Sequence, residues 1–255
     1  MTEPAGDLPL TSFGPELAVA VVGATGGIGG AFVAALRRRS GVARVLALSR
    51  RDPGLDDPKV AWLPLDLESE ATIAAAAAEA ARRLEALHLV IVASGILHDG
   101  EALQPERSWR ALDGAAMARA FQINATGPAL VAKHFLPLLA RDRKSAFAAL
   151  SARVGSIGDN ELGGWHAYRA SKAGLNMILK TLSIELARRN PRALCVGLHP
   201  GTVDTPLSRP FQSSVPQGKL FTDRRAAEAL LGVLDGLAPS DSGGLFAWDG
   251  SRIAY

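Results

Sequence analysis

The chain has 255 residues, 48% of them apolar, which suits one α/β domain of about 250 residues with a sizeable core. Its net charge of +3 comes from interspersed acids and bases, so it carries no nucleic-acid-binding stripe, and Arg37-Arg38-Arg39 reads as the cationic last turn of a helix. One cysteine, Cys195, excludes an internal disulfide, and no stretch approaches the roughly 20 apolar residues of a membrane span.

Residues 1–15 bear prolines and glycines without a charged-then-apolar leader pattern, and they read as a loose tail ahead of a domain over residues 16–255. The expected location is the cytoplasm. Ala18–Val22 is a short apolar run of the kind that forms a buried parallel strand. It runs into Gly23-Ala24-Thr25-Gly26-Gly27-Ile28-Gly29-Gly30 and then into a helical stretch from Ala31 to Arg39. Strand, glycine turn and helix together aim backbone N–H groups and a helix N-terminus at a phosphate. The glycines let a pyrophosphate come close.

Arg44–Ser49 reads as the second strand and Val60–Leu65 as the third, with Asp66-Leu67 following it. Thr72–Leu87 is an alanine-dense helix by propensity. Leu89–Ala93 is the fourth strand and ends in Ser94-Gly95. Ala115–Leu139 reads as a long helix interrupted near Gly127-Pro128. Ser145–Leu150 is the fifth strand, Tyr168–Arg188 a helix, Ala193–Leu198 the sixth strand, Asp223–Leu237 a helix and Leu245–Trp248 the seventh strand. Repeated βα units predict a doubly wound, seven-stranded parallel sheet with helices on both faces, in a single domain. Residues 206–221 hold three prolines and follow the sixth strand at the carboxyl edge of the sheet. They read as a substrate lid, with an inert surface loop as the alternative.

Tyr168 and Lys172 stand at i and i+4 of a helix and so share a face. A cation beside a phenol lowers its pKa, and such a tyrosine exchanges a proton with a carbonyl oxygen or an alcohol. The five histidines (His88, His98, His134, His166, His199) are scattered without metal-ligand spacing, so no metal site is expected. No Gly-x-Ser-x-Gly elbow is present.

Gly23, Gly27 and Gly29 fit G-x-x-x-G-x-G, and Gly23, Gly26 and Gly29 fit G-x-x-G-x-x-G. Joined to Tyr168-x-x-x-Lys172, the first spacing resembles the short-chain dehydrogenase/reductase family. The second resembles its extended branch, for whose separate substrate domain the chain is too short. Ser151–Asn160, Gly163-Gly164-Trp165 and Phe246–Gly250 resemble the C-factor-like subgroup, which includes carbonyl-reductase-like members.

The resemblance implies a nicotinamide cofactor on Gly23, Thr25, Gly26, Gly27, Ile28 and Gly29, with Asp66 and Leu67 at the adenine. Ala93-Ser94-Gly95 stands where the family usually has Asn-Ala-Gly, a departure. Pro200, Gly201, Thr202, Val203 and Thr205 match the turn beside the nicotinamide. Tyr168 is the implied proton donor, Lys172 its cationic partner and ribose ligand, and Asn124 the support of a proton path. The family's serine position reads Ala152. Ser156 is the favoured substitute and Ser151 the alternative. The second strand ends in Ser49-Arg50 rather than in an acid, which favours NADP(H) over NAD(H). The expected activity is hydride transfer between the cofactor and a small carbonyl or secondary alcohol substrate, with no nucleic-acid partner, by a homodimer or homotetramer. The rival reading is a regulatory protein that binds NADP(H) with little turnover.

Overall fold

The computed structural model describes residues 10–100 and 103–255. Its strands are apolar runs too uniform to leave a face in water. Leu17–Val22 (β1), Leu89–Val92 (β4) and Ser145–Leu150 (β5) are buried at every residue. With Val42–Ser49 (β2), Val60–Pro64 (β3) and Ala193–His199 (β6) they pair in parallel in the order β3-β2-β1-β4-β5-β6. Two short strands, Thr202–Val203 (β7) and Leu220–Phe221 (β8), pair with each other outside this sheet. Leu245–Ala247 (β9) then adds beside β6.

The sheet has eight strands, not the expected seven. Arg252–Ile253 (β10) returns antiparallel to β9 around a turn with Gly250 at φ 83°. Two residues offer no periodicity to read, so this edge strand left no sequence signal.

Strand alternation sends Val19 and Val21 to one face and Ala18, Ala20 and Val22 to the other. The first face packs on Gly27–Arg38 (α1) and Asp223–Gly236 (α6) through Phe32, Leu36, Leu230 and Leu231. The second packs on Glu70–Arg83 (α2), Gly127–Phe135 (α4) and His166–Arg189 (α5) through Ile73, Val131, Phe135, Leu175 and Leu179. Strand order reverses between β1 and β4, which opens a crevice at their carboxyl ends.

Two expectations are corrected and a third is made more exact. The tail reading fails at its end, because Leu10 and Phe13 are buried in the core beside a short turn over Thr11–Phe13. Residues 1–9 lie outside the described residues. The break in the long helix does fall near Gly127-Pro128, immediately before it. Gly114–Phe121 (α3) widens into one π turn, Gln122–Thr126, where the Gly127 N–H reaches back to the Gln122 carbonyl. Pro128 has no N–H to give the Asn124 carbonyl, so the ladder slips by one residue.

Finally, α5 begins before Tyr168. Trp165 adopts a left-handed conformation, φ 51°, unusual for a bulky residue. Its N–H donates to the Glu106 carbonyl at 2.6 Å, and the Ala167 N–H is shared by both Glu106 carboxylate oxygens at 3.2 and 3.3 Å. Glu106 is buried, and its charge sits on the positive end of α5. Glu106→Ala removes this cap and should lower the unfolding free energy by about 1–3 kcal/mol, as for buried bonds to charged groups. Urea unfolding checks it, and a loss below about 0.5 kcal/mol, the size of a neutral surface change, contradicts it.

Candidate active site

The glycine turn between β1 and α1 is fixed by contact. Gly23 has φ +86°, and a Cβ on Gly29 would lie 2.1 Å from the Gly23 carbonyl oxygen. Only glycine permits that approach. A Cβ on Gly27 would lie 2.7 Å from Thr205 Cγ2, and one on Gly95 3.3 Å from Lys172 Nζ. The glycines therefore keep clear the floor of a groove.

That groove has two connected parts. One, of about 490 Å³, is lined by Gly23, Thr25 and Gly26, by Ser49, Arg50 and Arg51 after β2, by Asp66 and Leu67 after β3, and by Ala93, Ser94 and Gly95 after β4. The other, of about 400 Å³, shares Thr25, Gly26 and Ala93–Ile96 and continues past Gly27 and Ile28 to Ser151, Tyr168, Lys172, Pro200 and Thr205. Glycine cradle, arginine end and apolar inner end suit a nicotinamide dinucleotide laid across the sheet edge.

At the inner end α5 presents Tyr168 and Lys172. The Lys172 ammonium is 3% exposed and donates to the Leu150 carbonyl at 2.8 Å. It lies 5.8 Å from the Tyr168 ring centre. Burial lowers the Lys172 pKa to about 8 and pushes the Tyr168 phenol up to about 12. The expected lowering of the Tyr168 pKa is thus reversed. Burial alone drives this shift, by disfavouring the charged phenolate.

Asn124 sits in the π turn, fully buried. Its Oδ1 accepts from the Ile96 N–H and its Nδ2 donates to the Ile96 carbonyl, each at 2.8 Å, and also to Ser171 Oγ at 3.0 Å. It ties the loop after β4 to α5 and lines neither cavity.

The two serines part company. Ser151 lines the inner cavity, whereas Ser156 does not. Ser156 Oγ accepts from the Asp159 N–H at 3.2 Å and caps a turn. The backbone places Ser156 off the cavity: it follows a short turn over Arg153–Gly155, and Gly155 packs against Lys172. Gly29, Gly201, Thr202 and Val203 also lie off both cavities. Gly201 (φ +76°) turns against Phe221 and Trp248, and the Thr202–Val203 pair is β7.

In the segment 206–221, Pro206 and Leu207 line the inner cavity. Phe211 packs edge-on against Trp165 at 5.0 Å and against His98 at 5.9 Å, and Trp165 packs on Tyr168 at 6.3 Å. The His98 Nε2 is 3.1 Å from the Pro206 carbonyl oxygen. Sequence reasoning missed His98, Arg51, Ile96, Leu150 and Arg119 on the cavity walls. They carry no local motif. It also missed Asn176, buried against Ser151, although helical spacing from Tyr168 through Lys172 leads to it.

A family model described as short chain dehydrogenase matches residues 17–215. C-signal of Myxococcus xanthus is 37% identical over 150 residues, 58% of this chain and 85% of that protein. This is the likeness expected of the C-factor-like subgroup. The 1-hydroxy-2-glutathionyl-2-methyl-3-butene dehydrogenase of a Rhodococcus species is 30% identical over 75% of this chain and 78% of its own. Among solved structures, the NADPH-bound carbonyl reductase from chicken fatty liver superposes with a TM-score of 0.81 at 29% identity, covering 94% of this chain and 95% of that one. Fold, glycine turn and matched length lead to one conclusion: the chain belongs to the short-chain dehydrogenase family of oxidoreductases.

Proposed function

We propose that this protein is an NADP(H)-dependent reductase of small carbonyl compounds, working reversibly on the secondary alcohol. The observation that carries it is the meeting of Tyr168, Lys172 and Ser151 in one cavity continuous with the glycine turn. The NADPH-bound carbonyl reductase supports the cofactor choice. The Gly23–Gly29 turn and the α1 N-terminus would hold the phosphates. Arg50 would take the 2′-phosphate and Asp66-Leu67 the adenine. When bound, the cofactor supplies the hydride to the carbonyl carbon.

Tyr168, neutral across the working range, gives its proton to the carbonyl oxygen. Lys172 carries its charge at neutral pH and stabilises the phenolate so formed. Ser151 donates to the same oxygen as it turns negative. The alternate-turn residues Met177 and Ile184, 67% and 48% exposed on α5, supply an apolar face for a homo-oligomer.

Reduction should be flat with pH below the Lys172 pKa of about 8 and fall above it, because the neutral amine no longer supports the phenolate. Alcohol oxidation should instead rise with pH, since Tyr168 must first lose its proton. Steady-state rates in both directions test this, and a reduction rate that climbs between pH 8 and 10 contradicts it.

Tyr168→Phe keeps the ring and removes only the proton. Turnover of an aryl ketone or α-diketone panel with NADPH should drop about 100-fold or more while NADPH binding is kept. Unchanged turnover refutes the assignment.

Arg50 offers a planar fork for a phosphate dianion. Arg50→Ala should weaken NADPH binding about tenfold or more, the scale of one charge-assisted contact, and leave NADH nearly unchanged. Equal losses in a fluorescence titration would sink the 2′-phosphate role.

A further inference from the structure

The Ser151 backbone is locked, its N–H donating to the Leu198 carbonyl at 2.8 Å, so only its hydroxyl can turn. That hydroxyl donates to Asn176 Oδ1 at 2.7 Å, and both residues are buried, 4% and 3% exposed. A serine has one proton to give. While it lies on Asn176, Ser151 shows the cavity lone pairs alone, which repel a carbonyl oxygen.

Two routes free the proton. Ser151 could turn by itself, but that leaves Asn176 Oδ1 buried without a donor, a costly state. The amide could instead turn by half a revolution; Oδ1 then faces the Gly155 carbonyl and also lacks a donor, but in return Nδ2 donates to Ser151 Oγ and leaves the serine proton free for the cavity. The present Nδ2 bond, to the Gly155 carbonyl, is a long one of 3.4 Å. Gly197 of β6 faces the amide and puts no side chain on it; a Cβ there would stand 3.6 Å from Oδ1.

We propose that Asn176 is a positioning residue whose amide orientation decides whether Ser151 donates into the protein or into the active-site cavity. The inference rests on the carbonyl-reducing role of Ser151 set out above. Asn176 stands one turn beyond Lys172 and two beyond Tyr168, so the helix face that holds the proton donor also sets the serine. Titratable or charged groups within about two turns of it on α5 are Tyr168, Arg169, Lys172 and Lys180, with Cys195 and His199 at alternate positions of β6 and Arg153 in the turn after β5.

The test uses Asn176→Asp, Ser151→Ala and the double variant, with NADPH and benzil as the probe ketone. A neutral carboxyl can donate to Ser151, whereas a carboxylate can only accept from it. Ser151→Ala should lower reduction about 100-fold or more. Asn176→Asp should show a new loss, at least about tenfold, as pH rises through titration of the introduced carboxyl, the scale of one hydrogen bond to a charged group. The double variant should lack that limb. In the cofactor-free protein, carbon NMR should find the introduced carboxyl titrating lower with Ser151 present than in the Ser151→Ala background.

A large Ser151→Ala loss with a wild-type pH profile in Asn176→Asp overturns the role of Asn176 alone. A Ser151→Ala variant as fast as wild type overturns the serine reading and this inference with it. Wild type inert toward benzil and the rest of the ketone panel, with the NMR difference intact, refutes the reaction reading and overturns the switch as a catalytic device, while the bond between positions 151 and 176 stands. Should Asn176→Asp fail to fold, Asn176→Ala in both backgrounds decides. A loss of about fivefold or more only where Ser151 is present supports coupling, and equal losses overturn it.

Discussion

A lysine ammonium with 3% exposure must find an acceptor or give up its charge, and the arrangement of this site follows from how Lys172 does so. Its Nζ takes the Leu150 carbonyl at the carboxyl end of β5. That bond fixes the height of α5 against the sheet. Tyr168, one turn earlier, is thereby set in the cavity, and Asn176, one turn later, meets the first residue past β5. The surrounding chain yields to the lysine. A Cβ on Gly155 would stand 2.8 Å from the Lys172 Cβ, and one on Gly95 would crowd both Nζ and the Asn124 amide oxygen. Loops after β4 and β5 are glycine-bearing where the lysine passes.

The second constraint is backbone pairing at the π turn. Pro128 withholds a donor from Asn124, the helix widens, and the Asn124 side chain is turned into the sheet edge, where it bonds Ile96 in both directions. A side-chain amide thus completes the backbone ladder of the loop after β4. The Ala93-Ser94-Gly95 segment lacks the asparagine usual in the family, yet this tie still holds the loop. Ser94 Oγ in turn lies 2.5 Å from where a Cβ on Gly23 would be, so that loop and the glycine turn pack directly on each other.

The parts legible in sequence were those written in short-range pattern. Buried strands are continuous apolar runs, and the glycine turn sits between a strand and a helix, so both could be read locally. What could not be read depended on distant partners. Ser151 and Ser156 are chemically alike and five residues apart, and only the turn over Arg153–Gly155 decides which faces Tyr168. The direction of the Tyr168 pKa shift depended on how far packing buries the phenol. Glu106 and His98 carry no motif and act on residues more than 60 and 100 positions away.

Glu106 also explains why a tryptophan tolerates the left-handed region. That conformation costs about 1–2 kcal/mol for a residue with a Cβ. Two N–H groups satisfied by one buried residue, at Trp165 and at Ala167, offset it. The strain has a geometric return. A right-handed residue at 165 would continue the helix backwards, whereas the left-handed one turns the chain just before α5. The indole then stands between Tyr168 and Phe211 of the segment over the cavity, and Phe211 reaches His98 on the opposite loop. The Tyr168 ring and the 206–221 segment therefore share one fixed point, Trp165, whose N–H is held by the main-chain carbonyl of Glu106 while the Glu106 carboxylate takes the next turn at Ala167.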